Sequence, residues 1–111
     1  MTGVINPIIP GYAWGQAFRF PPGFLQSGDV LAADFRQSAA GVLRYLQARS
    51  GVEIARDGDD VSIRLSGEQT ATMTGQPAVW TGFTIVRGAK SFPYRQEFRV
   101  PVRAFVTRNP Q

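Results

Sequence analysis

The sequence predicts an all-β protein: an antiparallel β-sandwich, Ig-like or a small barrel, with one short helical turn and an extended N-terminal arm. Three observations carry this. Apolar and polar residues alternate with period two, most clearly in residues 91–108, "SFPYRQEFRVPVRAFVTR". Roughly six or seven such runs are short and divided by Gly, Pro, Asp and Ser turns. At 111 residues, 43% hydrophobic and 18% charged, the chain is long enough to bury one core and ordinary in composition for a globular domain. The expected organisation is an arm over residues 1–14 and a single sandwich domain over residues 15–111.

The arm contains Val4, Ile5, Ile8, Ile9, Tyr12 and Trp14, interrupted by Asn6-Pro7 and Pro10-Gly11. The prolines break a helix or a central strand, so an extended apolar segment is expected, packed on its own domain or on a neighbouring subunit. Ala17-Phe18-Arg19-Phe20 reads as a short strand stopped by Pro21-Pro22-Gly23. A second turn, Ser27-Gly28-Asp29, leads into a strand over residues 30–37, where Leu31, Ala33 and Phe35 alternate. Residues 38–48 are ambiguous. Val42, Leu43 and Leu46 suit one face of a helix, while the surrounding β pattern favours a strand.

Val52 and Ile54, then Asp57-Gly58-Asp59-Asp60, then Val61, Ile63 and Leu65 predict a β-hairpin with a glycine-containing turn. Ser66 stands three residues before Gln69, the spacing of a capping box, so a helical turn is expected over residues 67–73. Residues 78–86 form a strand with Val79, Thr81, Phe83 and Ile85 on one face and Trp80, Gly82, Thr84 and Val86 on the other. Arg87-Gly88-Ala89-Lys90 turns the chain into the last strand. There Tyr94, Phe98, Val100, Val102, Ala104 and Val106 share one parity, against Arg95, Glu97, Arg99, Pro101, Arg103, Phe105 and Thr107. Pro101 cannot donate to a ladder, which places this strand at an edge, bulged, or divided there.

The residue inventory narrows the chemistry. The chain has neither cysteine nor histidine, which removes disulfides, thiolate and imidazole metal ligands, Ser-His-Asp triads and Cys-His dyads. Asp29 with Asp34, and Asp57 with Asp60, are the carboxylate pairs acid–base chemistry would need, but nothing beside them cradles a substrate. No phosphate-loop, dinucleotide or nucleophile-elbow motif is present. The Asp57–Asp60 cluster lacks calcium-loop spacing and suits a hairpin turn instead. The expectation is no enzyme, no cofactor, no metal and no small-molecule substrate. No apolar run is long enough to span a bilayer, and the N-terminus lacks the pattern of a signal peptide, so no membrane role is expected.

The net charge is +4, and residues 87–108 hold Arg87, Lys90, Arg95, Arg99, Arg103 and Arg108 against Glu97. On a strand, Arg95, Arg99 and Arg103 share one face. That face is solvated, or pairs with acidic residues such as Glu53, Asp57, Asp59, Asp60 and Glu68 across subunits, or binds phosphates. Lysine occurs once, and few aromatics lie on the arginine parity, so nucleic acid is the less favoured partner. Trp14 and Trp80 are expected as core or rim residues, with carbohydrate stacking as a further option.

Gly28-Asp29 opening a strand, then "RDGDDVSIRLSGEQTATM", "VWTGFTIVRG" and "EFRVPVRAFVTR" together resemble the small β-sandwich modules of tailed-bacteriophage virions. Leu65, Ser66, Glu68, Gln69, Thr70 and Ala71 carry the match, with Trp80, Phe83, Ile85, Val100 and Val102 adding to it. The resemblance covers residues 28–108. Such modules often anchor baseplate or fibre proteins and precede a coiled coil or a receptor-binding head, whereas this sequence stops at Gln111. The resemblance therefore implies a free-standing structural subunit of the virion, in tail, baseplate, neck or head, assembled in the host cytoplasm. It would act as a homo-oligomer and with other virion proteins. The expected assembly interface is Val4, Ile5, Ile8, Ile9 and Trp14 of the arm with Arg95, Arg99 and Arg103 of the last strand. The alternative is a small nucleic-acid-binding β-barrel using the same arginines.

Overall fold

The structure, a computed structural model, describes residues 5–38 and 44–103, and at Arg95 the backbone alone. Among these described residues seven strands and one helix follow in order: β1 Trp14–Arg19, β2 Val30–Arg36, β3 Arg44–Arg49, β4 Ile54–Asp57, β5 Asp60–Leu65, α1 Gly67–Ala71, β6 Ala78–Arg87 and β7 Lys90–Pro101. They form two antiparallel sheets, a three-stranded one of order β1-β5-β4 and a four-stranded one of order β3-β2-β6-β7. The fold is all-β and sandwich-like.

The period-two pattern sets the inner faces. Trp14, Phe18, Ile54, Val61, Ile63 and Leu65 are buried from the smaller sheet, and Leu31, Ala33, Phe35, Val79, Phe83, Ile85, Phe98 and Val100 from the larger. Aromatic rings lock the two together edge to face. Phe18 meets Phe83 at 5.1 Å, Trp14 meets Phe35 at 5.8 Å and Phe20 meets Phe83 at 5.1 Å.

Both hairpins that the turns announce are present. Asp57 pairs with Asp60 around Gly58 (φ +64°), and Arg87 pairs with Lys90 around Gly88 (φ +61°). Two-residue turns of this hand match strand twist and need a left-handed residue. The capping box also forms: Ser66 Oγ accepts from the Gln69 N–H, and Gln69 Oε1 accepts from the Ser66 N–H. The strand alternative for residues 38–48 holds over Arg44–Arg49, with residues 39–43 outside the described part. Val52 departs from expectation. It is 76% exposed in a tight turn, because Gly51 is left-handed and the Val52 and Glu53 N–H groups both donate to Arg49 O; β4 starts only at Ile54.

β7 carries a bulge. Its register with β6 shifts by two residues, so residues 94–96 together stand opposite Phe83. The Val102 N–H donates to Pro77 O, so the even-numbered residues after the bulge bond inward and the odd-numbered ones face the open edge. Pro101 stands at such an edge position and offers no N–H there. The bulge and a missing donor blunt an edge that would otherwise recruit a foreign strand.

The arm completes the protection. The Ile8 N–H donates to Pro101 O at 2.8 Å, and the Arg103 N–H donates to Ile8 O at 2.9 Å. Arm and β7 run parallel for this one step, and the missing proline donor ends the pairing. The arm then crosses to the other sheet, where Asn6 Nδ2 donates to Gly15 O and Trp14 Nε1 donates to Asn6 O. Its reversal over residues 10–13 sits on α1. Thr70 Oγ1 accepts from the Gly11 N–H and donates to Tyr12 O, and a Cβ on Gly67 would stand 2.5 Å from Gly11 O. Only glycine at 67 allows that approach.

Candidate interaction surface

Two sets of residues enter as candidates: the apolar arm and the arginines of β7. The structure separates them. Ile8 is 0% exposed and Trp14, the first residue of β1, is 4% exposed. Both belong to the core of their own chain, so neither presents an apolar surface to a neighbour here, and Trp14 offers no ring for stacking a sugar. Ile5 is half-buried against the same core, Ile9 is half-buried, and Val4 lies outside the described residues. The physical reason is the polar frame around the arm: Asn6, Trp14 and Thr70 satisfy its backbone within the chain, and Ile8 fills the space between the sheets.

The arginines fare differently. Arg99 is exposed on the outer face of the four-stranded sheet, and Arg103 is exposed just beyond its end; the Arg95 side chain lies outside the described part. Arg99 is not isolated. Its cross-strand partner is Trp80, whose partner on the other side is Arg36. The outer face thus carries a row Arg36–Trp80–Arg99 running across three strands.

The next row is acidic and fully used. Arg36 Nη2 donates to Glu97 Oε2 at 2.8 Å over Gly82, where a Cβ would come within 3.4 Å of Glu97 Cγ. Asp34 Oδ1 accepts from Gln47 Nε2 and from Arg44 Nη1. A hollow of about 150 Å³ lies beside these groups, lined by Asp34, Arg36, Gly82, Tyr94 and Glu97 among others. Arg36 Nε is buried with no acceptor among the described residues.

Three of the carboxylates considered for acid–base chemistry, Asp29, Asp34 and Asp60, are held by separate cations, while Asp57 pairs with none among the described residues. Asp29 accepts from Arg87 through both oxygens, at 2.9 and 2.7 Å, and also accepts the Gln26 N–H. This fork and the N–H hold its pKa down, at about 2. Arg87 also donates to Phe24 O and covers the Phe92 ring, so the pair pins the 20–29 loop against β7. Asp60 pairs with Arg19 at 2.8 Å, which lowers its pKa. Burial raises the Tyr45 hydroxyl. Asp57, Asp59 and Glu68 pair with no cation among the described residues, and Arg49, Arg64 and Arg99 pair with no carboxylate there. Among the described residues no three acidic side chains gather into a metal-binding group, and no helix is long and apolar enough to cross a membrane.

Compared with family models, curated proteins and solved structures, the chain matches none of them.

The row around Trp80 is the feature that reading along the chain missed. Trp80 and Arg99 each stand on the polar parity of their strands, and that signal is legible. Their adjacency depends on the bulge. Continued from Arg87 and Lys90 without a shift, the register would set Trp80 opposite Glu97; the two extra residues bring Arg99 there instead.

Proposed function

We propose that this chain is a structural subunit of a tailed-phage virion that acts by protein–protein assembly, through the outer face of its four-stranded sheet. The supporting observation is the Arg36–Trp80–Arg99 row. Tryptophan and arginine are the residues most enriched among the few that dominate binding energy at interfaces, and here they sit on a rigid sheet rather than a loop. The virion assignment rests on the resemblance over residues 28–108. The arm acts within the chain: it closes the sandwich and covers the end of β7, leaving the arginine face as the assembly surface.

Co-sedimentation with tailed particles made by cells that encode the chain tests this. Recovery of the wild-type chain in the particle fraction, and its loss on Trp80→Ala with an unchanged melting temperature, is the expected result. Absence of the wild-type chain from the particles overturns the reading. The alternative, nucleic-acid binding, is favoured by the same row, since an aromatic between two arginines is how single-stranded binders stack bases. Retention of the pure protein on DNA at low salt, released steeply as salt rises, would select it.

A further inference from the structure

We infer that the partner of the Arg36–Trp80–Arg99 face is a second copy of this chain, docked through the tip of its β4–β5 hairpin. This rests on the reading of that face as an assembly surface and names its occupant. The argument is charge complementarity within one chain. Arg99 has no carboxylate partner among the described residues, and farther along the same row Arg36 and Arg44 are already spent on Glu97 and Asp34. Among the described residues the uncompensated cation at the Trp80 end of this face is therefore Arg99, while Arg49 is left uncompensated at the far end, on β3. The hairpin tip carries the opposite imbalance. Among the described residues Asp57 and Asp59 have no cation partner, while Asp60 is held by Arg19 and Arg56 donates to the carbonyls of Gly58 and Gln26 rather than to a carboxylate.

Shape agrees with charge. The tip is a two-residue turn, narrow enough to approach a sheet face without pairing to an edge. That matters because the edge of β7 beside the face is blunted by the bulge, Pro101 and the arm, so at this end of the sheet a partner engages side chains rather than extending the ladder. Face and tip are different surfaces, one on each sheet. Their contact is heterologous, and repetition gives a ring or an open chain rather than a closed two-fold dimer.

The test uses two full-length variants. Arg99→Glu spoils the face and keeps the tip. Asp57→Lys with Asp59→Asn spoils the tip and keeps the face, and asparagine suits the turn. Mass is read by light scattering after size exclusion, at low and at high salt. The wild type is expected to associate at low salt and dissociate at high salt, while each variant alone runs as a monomer with the wild-type melting temperature. A 1:1 mixture is expected to form a dimer and stop, because only one face and one tip remain competent. A wild type that stays monomeric, a tip variant that assembles like the wild type, or a mixture that stays monomeric overturns the inference. If the tip variant assembles normally and Arg99→Glu does not, the face stands as the interface and only its occupant is wrong. If both variants assemble normally, the reading of the face falls as well.

Discussion

The flank between β1 and β7 and the outer face of the four-stranded sheet meet along the same strand, yet the chain treats them in opposite ways. The flank is shut at both ends. At one end Ile8 is buried between the sheets and its backbone is paired to Pro101 and Arg103. At the other, the Asp29–Arg87 fork ties the 20–29 loop over the Phe20, Phe24 and Tyr94 rings. The outer face keeps a half-buried tryptophan beside an exposed arginine that pairs with no carboxylate among the described residues. Backbone donors left open at a sheet edge bind any passing strand, whereas side chains on a sheet face select a partner by shape and charge. Closing the first and leaving the second open is consistent with the proposed assembly through the outer face.

Four measurements test whether the flank and the face differ in this way. The largest effect is expected at the arm. Ile8→Ala removes a fully buried side chain and should cost about 2–5 kcal/mol in denaturant unfolding. A loss below ~0.5 kcal/mol would mean that the arm is not part of the core. Next comes Thr70→Val, which keeps the shape but removes the acceptor of the Gly11 N–H and the hydroxyl that donates to Tyr12 O; we expect a loss of about 1–3 kcal/mol.

The other closure is read by acid. The Asp29 carboxylate has a folded pKa of about 2, below its ordinary 3.8. Its contribution is therefore fully present above pH 3.8 and is lost as the pH falls through about 2. An acid-unfolding curve of Asp29→Asn should accordingly show a weaker pH dependence between those values than the wild type, and an identical dependence would show that the fork contributes nothing. The smallest effect is expected on the open face. Trp80→Ala should leave folding stability within about 0.5–1 kcal/mol, since the side chain packs on the outside of the sheet. A larger loss would place Trp80 with the structural residues of the flank and remove it from the proposed interface.

Much of this is legible along the chain, for local reasons. Side chains on a strand alternate faces whatever the partner, so Val61, Ile63, Leu65, Val79, Phe83, Ile85, Phe98 and Val100 are recognisable as core before any sheet is built. The Gly58 and Gly88 turns and the Ser66–Gln69 box are equally local, since each is complete within four residues. The arm is the counter-example. Its prolines say extended and its isoleucines say buried, but neither says on what. The answer comes from Thr70 and Gly67 of α1 and from Pro101 of β7, all more than fifty residues away.

Strand periodicity and composition alone specify an all-β chain with a polar parity carrying Trp80 and Arg99, a core parity opposite it, and an inventory without histidine or cysteine. Which polar residues become neighbours is set by strand pairing in the folded chain. A bulge of two residues leaves every side chain on its face, because strand periodicity is two, but it slides one strand past the other. It exchanges Glu97 for Arg99 beside Trp80 and sets Glu97 against Gly82 within reach of Arg36. Parity is a property of one strand, whereas register belongs to a pair, and a bulge is settled by what must pack beneath it.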